Sequence, residues 1–535
     1  MVRSSARRPF LAFRRVGPVV TAALVAVSLF VPARAQAPVR VGTEFQVNTY
    51  VPDDQTASSV AMDADGDFVV AWASRGQDGS GDGVYAQRYS AAGAPLGTEF
   101  RVNTTTADAQ TNPSVAMDAD GDFVVVWQSR GPSDTAPNPI NDDDVLAQRY
   151  DAAGQLQGPE FQVNTYTGYN QNTPSVAMTA DGDFVVAWTS RGLPFKDPGQ
   201  GQDGSSAGVY AQRFSAAGRP LGPEFRANTY TVGDQSSPSV AVGADGSFVV
   251  AWTSTGQDGD FFGVYAQRFS AAGAPLGSEF QVNTLTYGSQ SDPAVGVAPN
   301  GDFVVAWSGL SGLGGNFEVY AQRYDAAGAP QGGEFRVNTF TTGEQSGTSV
   351  AWEADGGFVV VWSGRAVGDN SGVSAQKYNS DGEPQGPEFL VNTTTTESQS
   401  RPSVAMAADG RFAVAWSSYE QESEFTHGVY GQLYKPGPET VASEPGASVG
   451  LTLTLSPVPV GPGGSRIRYD LPEAGPVWLA VYDVLGREVA VLATGEQAAG
   501  PHESRLEAGR LAAGVYVVRL EAGRATVVRR VTVAH

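Results

Sequence analysis

The chain has 535 residues and a formal net charge of −22, with no Cys and only three Lys, Lys196, Lys377 and Lys435. So acidic a chain lacks the basic patches that nucleic acid or an anionic membrane surface requires. The absence of Cys excludes disulfides and thiolate chemistry, and His427 as the single His of the central region excludes His-cluster metal sites. An acid-rich, Lys-poor surface suits high salt, although a GC-rich genome explains Arg over Lys equally well.

Residues 1–35 read as a secretory signal peptide. Arg3, Arg7, Arg8, Arg14 and Arg15 form its basic start, and Val16 to Val31 its apolar stretch. Ala33-Arg34-Ala35 is an A-x-A cleavage site, so the expected cut follows Ala35, with Ala35-Gln36-Ala37 as a shifted alternative. The apolar run is too short for a retained anchor, so no transmembrane segment is expected after cleavage. The mature chain would carry a net charge of −28.

From Gly42 to Tyr434 one unit of roughly 55 residues recurs seven times, the signature of a propeller or solenoid. Each copy reads G-x-E-F-x-V-N-T, a step containing one Gln, S-V-A-x-x-A-D-G-x-F-V-V-A-W, then V-Y-A-Q-R-Y. Its Trp falls at 72, 127, 188, 252, 307, 362 and 416. The first complete copy predicts four strands, A to D: Ser59–Met62, Asp67–Ala73, Gly83–Tyr89 and Glu99–Asn103. Strand B is apolar throughout, as in a sheet covered on both faces, whereas strand D alternates and is half exposed. That pattern describes a propeller blade.

The chain enters with an orphan strand D, Thr43 to Thr49, and the last copy stops after strand C. The expected fold class is therefore all-β: a seven-bladed β-propeller over 42–434, closed by pairing of Thr43–Thr49 with Gly428–Tyr434. An open solenoid is the alternative. Spacings within the copies are constant except between strands B and C, where the Trp-to-Tyr interval runs from 12 to 22 residues. Function on a rigid repeat sits where loops vary, so the face of B–C and D–A loops is the expected binding face.

Asp63, Asp65 and Asp67 alternate ahead of and after Gly66, a pattern compatible with calcium. The other copies keep only Asp-Gly or Asn-Gly, which is the demand of a tight hairpin turn. The sevenfold Gln residues (Gln55 and Gln87 in the first copy) read as amides bonded to backbone. Arg88 with Glu99 reads as a cross-strand ion pair, and the seven Trp as core. Features that break the symmetry are the functional candidates: Asp78, Asp203 and Asp258 in Gln-Asp-Gly loops, Asp142, Asp143 and Asp144 in another B–C loop, and His427. Loop acids with Gly could take sugar hydroxyls or a cation, though solvated acids are the commoner case. No G-x-S-x-G, Ser-His-Asp set or P-loop is present, while paired-carboxylate glycosidase chemistry stays open. The expected function is non-enzymatic binding of an extracellular glycan or protein. The alternative is a polysaccharide-active hydrolase or lyase using B–C loop acids.

A Pro/Gly/Ser-rich linker is expected over 435–455, followed by a small β-sandwich over 456–535. Its strand-like runs are Arg466–Leu471, Val477–Asp483, Arg487–Ala493, Gly514–Glu521 and Arg524–Val533. The text Ile467-Arg468-Tyr469-Asp470-Leu471-Pro472, Val481-Tyr482-Asp483-Val484-Leu485-Gly486-Arg487, Ala499-Gly500-Pro501-His502 and Gly514-Val515-Tyr516-Val517 resembles the type A C-terminal sorting domain of the type IX (Por) secretion system. Tyr482, Asp483, Gly486, Gly514 and Tyr516 carry the likeness, and Gly514 is expected in a tight turn. Ser456-Pro457-Val458-Pro459 departs from the family's usual Asn-Pro start. The sandwich is expected to be immunoglobulin-like, and the resemblance implies the type IX machinery as partner and a destination on the outer surface or in the medium of a Gram-negative cell; an immunoglobulin-like accessory domain is the alternative.

Overall fold

The computed structural model describes residues 37–535 apart from 131–142, 193–200, 311, 313–314, 438–451, 457–463, 472–473, 484–486, 508, 510, 513, 523–524 and 534–535. The signal segment with Ala35, Asp142, Gly486 and most of the expected linker lie outside the described residues. The chain divides into two units at Thr440/Val441, and no α-helix occurs among the described residues.

Each repeat forms one four-stranded antiparallel sheet in the order A-B-C-D. In sheet 1 the strands are Gln55–Met62, Phe68–Arg75, Asp82–Tyr89 and Phe100–Arg101. Strand B is the spine: Phe68, Val69, Val70, Ala71 and Trp72 are at most 1% exposed. Both of its faces are covered because the cores lie between sheets. Trp127 packs with Ala71 and Val84 of the sheet before it, and all seven repeat Trp are fully buried. Aromatic pairs bind the same seams. Phe68 stacks on Tyr89 within the sheet at 4.9 Å, and Phe45 of the sheet before tilts onto Tyr89 at 5.3 Å. Such pairs contribute about 0.5–1.5 kcal/mol each beyond area burial.

Strand A is longer than expected and carries a feature that alternation does not reveal. In all seven sheets its register shifts two residues after the recurring Gln, as between Thr56 and Ser59. The residue inside the shift is left-handed: Ala57, Asn112, Thr173, Ser237, Asp292, Gly347 and Arg401, with φ between 51° and 67°. A bulge of this kind bends the strand and increases its twist. Past it, strand A of one sheet bonds the next. Val115 N–H donates to Ser59 Oγ at 3.1 Å, and Val60 N–H donates to Ser403 Oγ at 3.1 Å.

That last bond joins the first sheet to the last. Sheet 7 is ordered Val39–Gln46, His427–Lys435, Phe412–Tyr419, Gln399–Met406, so the entry segment supplies its outer strand. The pairing runs Val41↔Leu433 and Phe45↔Gly431 across a bulge. Its ladder lies earlier than the expected Thr43–Thr49, because beyond Gln46 the chain leaves to bridge to sheet 1. Val60 and Trp72 of sheet 1 share one core with Ala415, Val429 and Leu433 of sheet 7. Every sheet thus has a neighbour on both faces, as in a β-propeller, and an open solenoid is excluded.

The C-terminal unit is a pair of antiparallel sheets. Three strands are ordered Thr452–Ser456, Ser465–Leu471, Gly500–Leu506, and four are ordered Glu488–Gln497, Gly475–Asp483, Gly514–Ala522, Ala525–Val533. Leu453, Ile467 and Leu506 of the first share a core with Leu479, Tyr516 and Val518 of the second. Thr452–Ser456 falls largely in the expected linker, where its alternating Thr and Leu escape notice among Pro and Gly. Gly514 begins a strand opposite Val533 instead of making a turn. Tyr482 is half-buried and Tyr516 is buried at 9%. Asp483 ends the strand Gly475–Asp483, its backbone paired with Tyr516.

Candidate binding face

The Asn of each V-N-T organises the B–C/D–A face. Asn103 Oδ1 accepts the buried N–H of Val84, at the start of strand C, at 2.8 Å. Its Nδ2 donates to the carbonyl of Thr105 at 2.7 Å, folding the D–A loop back. The amide-to-Val bond recurs in all seven sheets, closing with Asn48 and Val429.

The Glu of G-x-E-F links sheets. Glu99 Oε2 accepts Thr49 N–H, in the D–A loop before sheet 1, at 2.6 Å, and the equivalents Glu160, Glu224, Glu279, Glu334, Glu388 and Glu44 do the same. The expected Arg88–Glu99 ion pair is therefore corrected. Strand D pairs only through Phe100 and Arg101, so Glu99 lies beyond the ladder and reaches toward the loop face. Arg88 points to the opposite face, where Nη1 donates to the carbonyl of Ala153 in the next sheet's hairpin at 2.7 Å. The expected backbone-bonded amides are observed: Gln55 Nε2 donates to Pro52 O at 3.1 Å, and Gln87 Nε2 to Arg88 O at 2.8 Å.

These anchors explain the Gln-Asp-Gly loops. Gln77 Nε2 donates to Glu99 Oε1 at 2.6 Å, while Asn103 Nδ2 donates to Asp78 Oδ2 at 3.2 Å. Gln202 and Gln257 hold Glu224 and Glu279 in the same way. Asp203 Oδ1 accepts Ser205 N–H at 2.9 Å, and Asp258 Oδ1 accepts Asp260 N–H at 3.3 Å. In sheet 2, Asp144 Oδ1 accepts from Asn164 at 2.7 Å. Asp143 is 3% exposed and takes Gln128 at 2.8 Å and Arg130 at 3.3 Å. All five acids are half-buried or buried and take part in the fold, where solvated or ligand-facing acids were expected. They are also dispersed: only Asp143 and Asp144 share a sheet.

At the A–B turn Asp63 Oδ1 accepts the N–H groups of Asp65, Gly66 and Asp67 at 2.8–2.9 Å, and Asp67 Oδ1 accepts Ala91 N–H at 2.8 Å. Gly66 has φ 91°, a conformation a Cβ strains. The turn employs two of the three acids that suggested calcium. Burial raises the Asp63 carboxyl pKa above its usual range, against the pull of these N–H groups.

The junction of sheets 7 and 1 is electrostatically distinct. His427 Nδ1 lies 3.0 Å from Asp54 Oδ1, its ring tilts on Tyr419 at 4.9 Å, and Arg75 approaches Asp54 at 3.9 Å. Burial opposes ionisation of Asp54, but its hydrogen bonds and charge contacts with His427 outweigh it and lower the pKa. Here a Gln-Glu pair replaces Gln-Asp: Gln421 holds Glu44 at 2.5 Å, and Glu422 accepts from Asn48 at 3.1 Å and from Gln46. Burial pushes the Glu422 carboxyl pKa up to about 7 despite those donors. Sequence reading missed Glu422 and Asp54. Alignment of Gln421-Glu422 with Gln77-Asp78 was the available signal for the first; the second had none, since its partner lies 373 positions away.

No protein-family model matches the chain, and no curated protein matches it. Among solved structures, a protein of unknown function from Dyadobacter fermentans is 13% identical with a TM-score of 0.43, covering 75% of this chain and 99% of its own. A Penicillium chrysogenum α-L-arabinanase complexed with arabinobiose is 14% identical, TM-score 0.41, covering 74% and 98%. A copper-bound fungal alcohol oxidase of the AA5 family is 13% identical, TM-score 0.44, covering 92% and 100%.

Proposed function

We propose that the chain is a secreted seven-bladed β-propeller carrying an immunoglobulin-like C-terminal sandwich. In this reading the sandwich directs it through a type IX pathway to the outer surface or medium, where the B–C/D–A face binds an extracellular ligand without chemistry. One observation carries the binding reading: the recurring acids of that face serve as seam bonds, so ligand-specific character falls to side chains that differ between sheets. Destination rests on the signal-type start together with the sorting-type tail, two addresses that a purely periplasmic protein does not need.

A second reading, a polysaccharide hydrolase or lyase, has its own observation in Glu422. A half-buried carboxyl that titrates near 7 is what a general acid requires. One experiment separates the two. Purified residues 36–535 are screened on a glycan and protein panel for both binding and cleavage. Binding without cleavage, unchanged in Glu422→Gln, supports the binding protein; cleavage abolished by Glu422→Gln supports the hydrolase.

A further inference from the structure

Three of the B–C loops are the same device. Sheets 1, 3 and 4 carry G-Q-D-G followed by three residues and G-V-Y, with identical Gln-to-Glu anchors. They differ just before the Gly of G-V-Y, where sheet 1 has Gly81-Asp82, sheet 3 has Ser206-Ala207 and sheet 4 has Phe261-Phe262. The scaffold does not require the aromatic pair, because Phe262 bridges Ser289 just as Ala207 bridges Asp234. Yet Phe261 is 66% exposed and Phe262 39%. Asp260 Oδ2 accepts Gly288 N–H at 2.8 Å and so holds the neighbouring D–A loop alongside. That loop presents Tyr287, 47% exposed, where the loops before sheets 2 and 4 have Ala107 and Val232. Three large aromatic side chains thus stand in water at one place on the rim, the usual mark of an interaction site.

The charge around them is one-sided. Asp258, Asp260 and Glu279 belong to the same loops and their anchors, and no ion pair reaches them among the described residues. Exposed rings beside uncompensated carboxylates favour a ligand that combines cationic heads with apolar stems, since cations lie well on ring faces and complement the acids. We propose that Phe261, Phe262 and Tyr287 form a docking site for a basic, extended peptide segment of a partner protein, with Arg or Lys side chains over the rings. This rests on the binding reading above and names its ligand class.

The test uses residues 36–535 and a fluorescein-labelled (Arg-Val)5 peptide, with (Gln-Val)5 and (Glu-Val)5 as controls and a chitosan oligomer as an amino-sugar competitor. The variant Phe261→Ser/Phe262→Ala installs the residues of sheet 3's loop, so it preserves a fold the chain already uses. The expected result is binding of the basic peptide alone, weakened by salt and about tenfold in the double variant at unchanged thermal midpoint. Equal binding by the double variant, or equal binding of (Gln-Val)5, overturns the site. If chitosan binds at the patch and the peptide does not, the peptide assignment falls while the binding-protein reading stands. That broader reading fails separately, if Glu422→Gln abolishes cleavage of a panel glycan.

Discussion

Glu44 Oε2 accepts the backbone N–H of Thr393 at 2.5 Å, joining residues 349 positions apart. Glu99 makes the same bond to Thr49 at 2.6 Å over 50 positions. The bond that ties the entry strand to the loop leaving sheet 6 is thus chemically the same as the one made over 50 positions. Glu44→Ala and Glu99→Ala should each lower stability by about 1 kcal/mol, the usual net worth of such a bond. Urea midpoints check this; a silent Glu44→Ala beside a costly Glu99→Ala would show that this anchor of the entry strand contributes nothing.

Asn103 tests the loop face within one sheet, because Val84 N–H is buried and has Asn103 Oδ1 as its acceptor. Asn103→Ala strands that donor and should cost about 1–3 kcal/mol. Denaturant unfolding of the variant reads the loss directly, and a neutral result would refute the role.

Ala57 occupies a left-handed bulge position at φ 54° that the sixth sheet fills with Gly347. Ala57→Gly should therefore stabilise by about 0.5–1 kcal/mol, and Gly347→Ala should destabilise. Opposite signs in calorimetry confirm the strain; like signs argue against it.

Glu422 sets a pH dependence. Its folded pKa of about 7 lies above the ordinary value of 4.5, so the folded state holds the proton more tightly. Stability from this group is full below 4.5 and declines as pH rises through 7, because the charged carboxylate is penalised by burial. Asn48 and Gln46 donate to it, and Glu44 acts with it on Tyr430. Glu422→Gln should flatten that decline and add about 1 kcal/mol at pH 8, a figure discounted for partial exposure. Thermal midpoints of both proteins between pH 4 and 8 test the sign.

The unit boundary at Thr440/Val441 separates two cores. A chain ending at residue 440 should unfold with the same midpoint as the ring transition of the full chain. Expressed with its signal segment, it should remain in the periplasm. Appearance of the truncated chain in the medium would remove the sorting role from the tail.

Much of the architecture was legible because strand periodicity, Asp-Gly turns and the count of seven units are properties of consecutive residues. Phe68 to Trp72 announces a strand covered on both faces whatever lies beside it, and the recurring Gln and Trp read correctly as scaffold. Partnership was not legible. Glu99 and Arg88 sit in one hairpin and look paired, yet two-residue pairing of strand D sends their side chains to opposite faces. The left-handed residue in strand A leaves no signature either, since Ala, Asn, Thr, Ser, Asp, Gly and Arg all occupy it.

Consecutive residues alone encode the repeating strand unit, its turns, and an entry segment matched to the missing outer strand. Which acids bond to which loops, and which side chains remain in water, follows from the packing of the folded chain. Asp78 and Phe261 both lie in loops of the same pattern, but Asp78 finds Asn103 at the end of its own sheet's outer strand and Phe261 finds solvent. Strand identity follows from steric and burial preferences of neighbouring residues. A loop side chain's role depends on the groups that the folded chain, far along the sequence or in an adjacent sheet, places within hydrogen-bonding reach.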